Sequence, residues 1–212
     1  MDRMQIGQVT NFLMRPFRVR RMQRFAQAFS PSTQDRILDV GGSLFNWQLI
    51  NCTSQIDLLN LEAPPTAQLP GNVRYIVGDG TDLKIPDGSY DIVFSNSVIE
   101  HVGSPQAQAA FANELRRVGR KLWLQTPARS FPVEPHLLGL FVHWLPKPWQ
   151  KKLIKNFTLW GWITRAPQSY IDGFVDQTRL LDHQDLVALF PDCKIHRERF
   201  FFLTKSYLVV RS

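Results

Sequence analysis

The chain has 212 residues, of which 44% are hydrophobic and 20% charged, with a formal charge of +7 and a pI near 9.7. That length suits one domain with a substantial core, and the composition is ordinary for a soluble globular protein. Cys52 and Cys193 belong to no CxxC or Cys/His cluster, which argues against a disulfide framework or structural zinc, so no metal centre is expected.

The apolar run at 137–145, LLGLFVHWL, is too short for a bilayer, and the opening MDRMQIGQ lacks the apolar core of a secretory signal. A cytoplasmic location is expected. Basic residues gather at Arg15, Arg18, Arg20, Arg21 and Arg24, and again in KPWQKKLIK at 147–155. They read as solvated helix faces, or as a surface for acidic lipid or an anionic substrate. Nucleic acid is disfavoured, because no recognised binding motif accompanies the charge.

Residues 11–29 set Phe12, Leu13, Phe17, Met22, Phe25 and Phe29 among arginines, and Pro16 predicts a helix mainly from there to Phe29. After the turn-rich SPSTQD, Arg36–Val40 reads as a buried strand and Leu44–Asn51 as a helix. QIDLLNLE at 55–62 is a second strand ending in an acid, and the prolines of 63–71 require a loop. NVRYIVGDG supplies a third strand and SYDIVFSN, behind the turn PDG, a fourth. Ser104 as N-cap and Pro105 at the first helical position start a helix running to about Val118, and RKLWLQTP is a fifth strand.

This alternation predicts a parallel sheet covered on both faces. Residues 127–176, rich in proline and tryptophan, read as a partly helical insertion over the sheet's carboxyl edge. Its Phe131, His143, Trp144, Trp149, Trp160 and Trp162 suit a lid, a membrane-facing surface or a small auxiliary core. Asp182–Phe190 resumes as a helix, and KIHRERFFFL with KSYLVVRS forms an antiparallel hairpin. The fold class is therefore α/β: Rossmann-like, three-layered, with a mostly parallel seven-stranded sheet that ends in a C-terminal antiparallel hairpin. Residues 1–34 form a basic helical extension of this single domain.

In such sheets ligands lie outside the carboxyl ends of the strands. Strand one ends in Asp39-Val40-Gly41-Gly42-Ser43, and strand two in Glu62, placed to accept from ribose hydroxyls. Strand three ends in Gly78-Asp79-Gly80, where a carboxylate can reach an exocyclic adenine amine. Strand four ends in Asn96-Ser97, followed by Glu100-His101. Each has a plain alternative as a turn or a solvated acid; their order along consecutive strand ends favours one site. No GxxxxGK[ST] is present, so a P-loop is unsupported.

On ILDVGGS, the acid of LLNLE, VGDGTDLKIPDGSYDIVFSNSVIEHV and LWLQTP, the chain resembles class I S-adenosylmethionine-dependent methyltransferases, closest to the type 11 small-molecule group. The resemblance covers roughly residues 35–128 and the terminal hairpin. It implies S-adenosyl-L-methionine as cofactor. Asp39 with the glycine loop would face its methionine part, Glu62 its ribose, Asp79 and Gly80 its adenine, and Asn96 with Ser97 the sulfonium region.

The family's acid-x-Gly-x-Gly-x-Gly loop appears here as Asp39, Gly41, Ser43 and Phe45, with Gly42 added. A pyrophosphate needs several bare amides, whereas a sulfonium nucleoside carries no phosphate. The expected activity is methyl transfer to a small-molecule, lipid-linked or glycan-precursor acceptor, with peripheral membrane contact through the basic and Trp-rich segments. His101 is the first candidate base and His136, beside Glu134, the second; each is also consistent with a structural histidine. The rival readings are a catalytically silent methyltransferase-like scaffold and a nicotinamide oxidoreductase. The terminal hairpin and the short glycine loop oppose the second of these.

Overall fold

In a computed structural model, residues 3–62, 69–134 and 136–212 are described, with side chains from Arg15 onward. The elements run α1 (Arg3–Phe29), β1 (Arg36–Val40), α2 (Leu44–Trp47), β2 (Gln55–Asn60), β3 (Val73–Val77), β4 (Tyr90–Asn96), a 3-10 turn (Ile99–His101), α3 (Pro105–Val118) and β5 (Gly119–Pro127). An insertion follows with β6 (Val133–Glu134), β7 (Gly139–Leu140), a 3-10 turn (Val142–Trp144), α4 (Lys147–Phe157), α5 (Leu159–Thr164) and α6 (Gln168–Gln177). The chain ends in α7 (His183–Leu189), β8 (Lys194–Phe200) and β9 (Leu203–Arg211).

The seven-stranded sheet has the order β3-β2-β1-β4-β5-β9-β8. β1 to β5 pair in parallel, and β9 enters antiparallel between β5 and β8. The alternation of side chains along each strand builds the two cores. Leu38, Val93, Leu122, Leu124 and Val209 face α3 and α7, with Phe111, Leu115, Leu186 and Phe190 packed on them. Their neighbours Ile37, Ile92, Phe94, Trp123 and Leu208 face Met22, Phe25 and Phe29 of α1. Phe25 meets Phe94, Trp47 and Trp123 edge-on at ring separations of 5.3, 5.7 and 5.7 Å, an arrangement aromatic quadrupoles favour.

Three element boundaries differ from expectation. α1 starts at Arg3 and carries Pro16 inside it. An interior proline loses one hydrogen bond and crowds the carbonyl four residues back, a local cost that this long helix carries without ending. α2 is a single turn, because Trp47 points into the core and the chain turns immediately after it. β2 ends at Asn60 rather than at Glu62: Asn60 accepts the last ladder bond from Gly78 N and sends its side chain to the Gly42 carbonyl, 2.9 Å away. The Ser104 cap with Pro105 starts α3 as expected, and Asp182 with Asp185 forms a capping box on α7.

The insertion closes its own core from Leu137, Val142, Ile154, Ala166, Ile171 and Val175. Several of its aromatic side chains stay outside that core. No described helix is long and apolar enough to cross a membrane.

One arginine ties the layers together at the carboxyl edge. Arg21 lies four residues after Phe17 and four before Phe25, so helical phase puts it on the apolar face of α1. Its guanidinium donates to Asn96 Oδ1 (2.8 Å), Gln125 Oε1 (3.0 Å) and Glu198 Oε2 (2.8 Å), joining β4, β5 and β8. The expectation of a wholly solvated basic face fails here, since Arg21 is 7% exposed. Burial alone would raise the Glu198 carboxyl, but the charge and hydrogen bonds of Arg21 hold it below its usual value.

Removing the guanidinium strands a carboxylate whose side chain is only 15% exposed. We predict that Arg21→Ala loses about 3 kcal/mol in urea unfolding at neutral pH. A group with a depressed folded pKa gives its stability above the unfolded pKa, so the loss shrinks as acid protonates Glu198.

Candidate functional site

The ends of β1 to β5 form one edge, and the candidate residues divide along it into two groups. At the β1 end, Asp39 is fully buried. Its Oδ2 accepts from Trp47 Nε1 at 2.8 Å, and its Oδ1 is buried without a hydrogen-bond partner. Burial pushes the Asp39 carboxyl up to about 7, against the smaller lowering effect of the Trp47 bond.

The two glycines beside it have separate reasons. Gly41 turns the chain with φ +73° and packs against Val98, and a Cβ on Gly42 would overlap the Asp39 carboxyl itself. The extra glycine thus makes room for the acid of its own strand. Ser43 precedes α2 in extended conformation and makes no side-chain cap bond.

Glu62 and Asp79 are both exposed at this end. Glu62 lies two residues beyond β2. Asp79 turns the chain after β3 by accepting from Thr81 N and Thr81 Oγ1, both at 2.8 Å through Oδ1. Gly80 lies against Phe111 and Val40 so closely that a side chain there would collide with both.

Asn96 and Ser97 stand at the centre of the edge, and their side chains serve the Arg21 network. Asn96 accepts from Arg21, and Ser97, at φ +57°, donates to Gln125 Oε1 at 2.9 Å.

The β4–β5 end carries the second group. His101 Nε2 and His136 Nε2 face each other at 3.3 Å. His136 Nδ1 contacts Glu134 Oε1 at 2.6 Å, while His101 Nδ1 contacts Thr178 Oγ1 at 3.3 Å. Glu100 is fully buried; its Oε2 accepts from Thr126 at 2.9 Å, and its Oε1 has no hydrogen-bond partner. The ring of His101 therefore bonds to side chains from the insertion and the segment after it, rather than to backbone.

Burial, then the charge of His136, push His101 down to about 4. Burial also disfavours a charged His136, yet the Glu134 bond and the charges of Glu134 and Glu100 outweigh it and raise its pKa. Burial raises the Glu100 carboxyl.

Sequence reading found both histidines but missed Arg21, Thr126 and Thr178. Only the four-residue spacing of Phe17, Arg21, Phe25 and Phe29 could have marked Arg21. Beside this cluster lies a cavity of about 460 Å³ whose lining includes Arg129, Glu134, His143, Phe174, Thr178 and Arg179.

The buried Asp39 carboxyl gives a measurable signature. Its folded pKa lies above the unfolded value near 3.8, so its contribution to stability is complete below that pH and lost as pH rises through about 7. Asp39→Asn keeps an acceptor for Trp47 and removes the ionisation. Urea midpoints measured across that pH window should slope less in the variant than in the parent protein.

Residues 52–121, from just after α2 into β5, match a family model described as a methyltransferase domain. A 64-residue segment is 41% identical to an uncharacterized methyltransferase of Mycobacterium sp. (strain KMS), covering 30% of this chain and 23% of that protein. The chain thus spans under a quarter of the length of the curated relatives it matches.

Among solved structures, a SAM dependent methyltransferase from Aquifex aeolicus superposes with a TM-score of 0.54 at 10% identity, covering 99% of this chain and 97% of that one. The 1,6-didemethyltoxoflavin-N1-methyltransferase of Burkholderia thailandensis, solved with 1,6-didemethyltoxoflavin and S-adenosylhomocysteine, superposes with a TM-score of 0.56 at 12% identity, covering 91% and 76%. At these identities the likeness is one of fold. The domain match over residues 52–121, and a sheet whose penultimate position holds an antiparallel strand, make the chain similar to methyltransferases over that segment and in fold.

Proposed function

We propose that the chain transfers a methyl group from S-adenosyl-L-methionine to a small or lipid-linked acceptor bearing negative charge. The observation that carries this reading is the division of the carboxyl edge into an open end with exposed carboxylates and an opposite end with paired histidines beside a cavity. The residues of the open end fit the cofactor's polar groups. Glu62 is an exposed acid beyond β2, suited to a ribose diol. Asp79 keeps one oxygen outside its turn, suited to the adenine amine. The buried, partnerless Oδ1 of Asp39 marks unmet acceptor capacity beneath the glycine loop.

When bound, the cofactor supplies the electrophilic methyl group and the sulfur leaving group. The chain's residues align and dehydrate the acceptor, and the acceptor's proton leaves through the His101–His136 cluster. Arg129 beside the cavity favours an anionic acceptor, as does the excess of positive charge. A volume of about 460 Å³ is within the usual range for small-molecule sites.

The lipid-linked form of the acceptor draws support from the insertion's outer surface. Trp149, Phe157 and Trp162 are 60, 72 and 62% exposed on α4 and α5, with Lys152 and Lys155 on α4. Trp interleaved with Lys suits a lipid headgroup layer.

Calorimetric titration tests the cofactor assignment. S-adenosylmethionine and S-adenosylhomocysteine should bind and NAD should not; tight binding of NAD alone would overturn it. Glu62→Ala and Asp79→Ala should each weaken binding by about 1–3 kcal/mol, the worth of one lost ligand hydrogen bond. In co-sedimentation, anionic vesicles should pellet the protein at low salt and release it at high salt, and replacing Trp149 and Trp162 by Ala should weaken pelleting. Equal behaviour with neutral vesicles would remove the lipid-linked form.

A further inference from the structure

The β4–β5 end contains more unmet ligand capacity than a proton relay needs. Glu100 is carried by the 3-10 turn after β4, His101 follows it directly, and His136 arrives from the insertion. One donor atom from each lies within 4.8 Å of the other two. The Nε2 atoms of the histidines are 3.3 Å apart, and His136 Nε2 is 3.9 Å from Glu100 Oε1. Nitrogen ligands about 2.0–2.1 Å from a tetrahedral zinc ion stand roughly 3.3 Å from each other. The histidine pair already has that separation, and the carboxylate needs only a small approach.

The outer atoms of all three residues are held. His136 Nδ1 is held by Glu134, His101 Nδ1 by Thr178, and Glu100 Oε2 by Thr126. If both Nδ1 atoms donate to these partners, both Nε2 lone pairs are directed into the same space as Glu100 Oε1. Ligating histidines commonly have such a carboxylate or hydroxyl partner behind the ring. Glu134, 2% exposed, is itself fixed by Leu137 N at 2.6 Å.

Charge balance points the same way. Two carboxyls, Glu100 at 0% and Glu134 at 2% exposure, flank the two imidazoles, and His136 carries the cluster's nearest ion-pair contacts to both. A buried carboxylate oxygen with no donor is costly, and a divalent cation at the common focus would satisfy it.

We propose that Glu100, His101 and His136 form a site for one divalent transition-metal ion of the zinc type, with Glu134, Thr178 and Thr126 as its supporting shell. This goes beyond the cysteine-based expectation of no metal, because the ligands lie 35 residues apart and follow no compact spacing. Three protein ligands leave a fourth coordination position. With both Nε2 atoms on the metal the histidines no longer accept a proton directly; an acceptor hydroxyl oxygen bound at the fourth position would instead lose its proton to solvent, since the cation stabilises the oxyanion. That role rests on the methyltransferase reading; the binding of metal does not.

The test uses the untagged full chain, stripped with a chelator, titrated with Zn²⁺ by calorimetry, and loaded with Co²⁺ to record ligand-field absorption. Saturable one-to-one binding and an intense tetrahedral Co²⁺ band are expected. His136→Ala and Glu100→Gln should abolish the band and weaken Zn²⁺ binding at least 100-fold. Thr178→Val, which keeps all three ligands, should weaken it roughly 10-fold. His196→Ala, on the exposed strand β8, should change nothing. Circular dichroism separates a misfolded variant from a folded one without metal. Failure of the parent protein to bind, or binding unaffected by His136→Ala and Thr178→Val, would overturn the proposal. All of these readouts are made without S-adenosylmethionine, so failure here leaves the cofactor assignment standing, and the reverse also holds.

Discussion

The burial of one carboxyl group at the end of β1 sets the geometry of the loop that follows it. Asp39 sits in the layer between the sheet and α1 with a single donor, Trp47 Nε1, so neighbouring backbone must come close without side chains. Gly42 is bare because the carboxyl occupies the place of its Cβ, and Gly41 turns the chain there in a left-handed conformation. Trp47, held by the same acid, meets Phe25 and Phe94 and so links the loop to α1 and β4.

The two ends of the edge are built on different physics. Around β1 to β3 the acids Glu62 and Asp79 are exposed and available to a ligand. Around β4 and β5 the ionisable groups are buried or half-buried, with Arg21 and Glu198 closing one side and Glu100, Glu134 and the histidines the other. Buried charges hold their places only when paired or coordinated. The Arg21 network meets that condition within the protein, whereas the Glu100 cluster still has an oxygen to satisfy. The insertion, with its own core, brings His136, Glu134 and Phe174 to this second end.

The layers were legible in sequence wherever one local rule governed. Alternating strand and helix patterns, the Ser104-Pro105 start and the terminal hairpin all appear where those rules place them. Boundaries departed where a side chain had business elsewhere: Trp47 ended α2 by turning to Asp39, and Asn60 ended β2 by reaching Gly42. Arg21 was hidden because five arginines in ten residues read as a solvated face, and only tertiary contact distinguishes the one that points inward. His101 and His136 could each be named from position after a strand, but their pairing is long-range and no local pattern encodes it. Gly42 was visible as an extra glycine, but its purpose became clear only with the Asp39 carboxyl beside it.

On the proposed reading a sulfonium nucleoside occupies the β1–β3 end of the edge with its reactive group turned toward β4. Hydrogen exchange with and without S-adenosylhomocysteine tests it most directly, because backbone amides report location independently of any acceptor. Slowed exchange is expected at 41–43, 78–81 and 96–98, with β8 and the outer surface of α4 unchanged. Protection confined to the insertion, or none at 41–43 and 78–81 at saturating ligand, would contradict it.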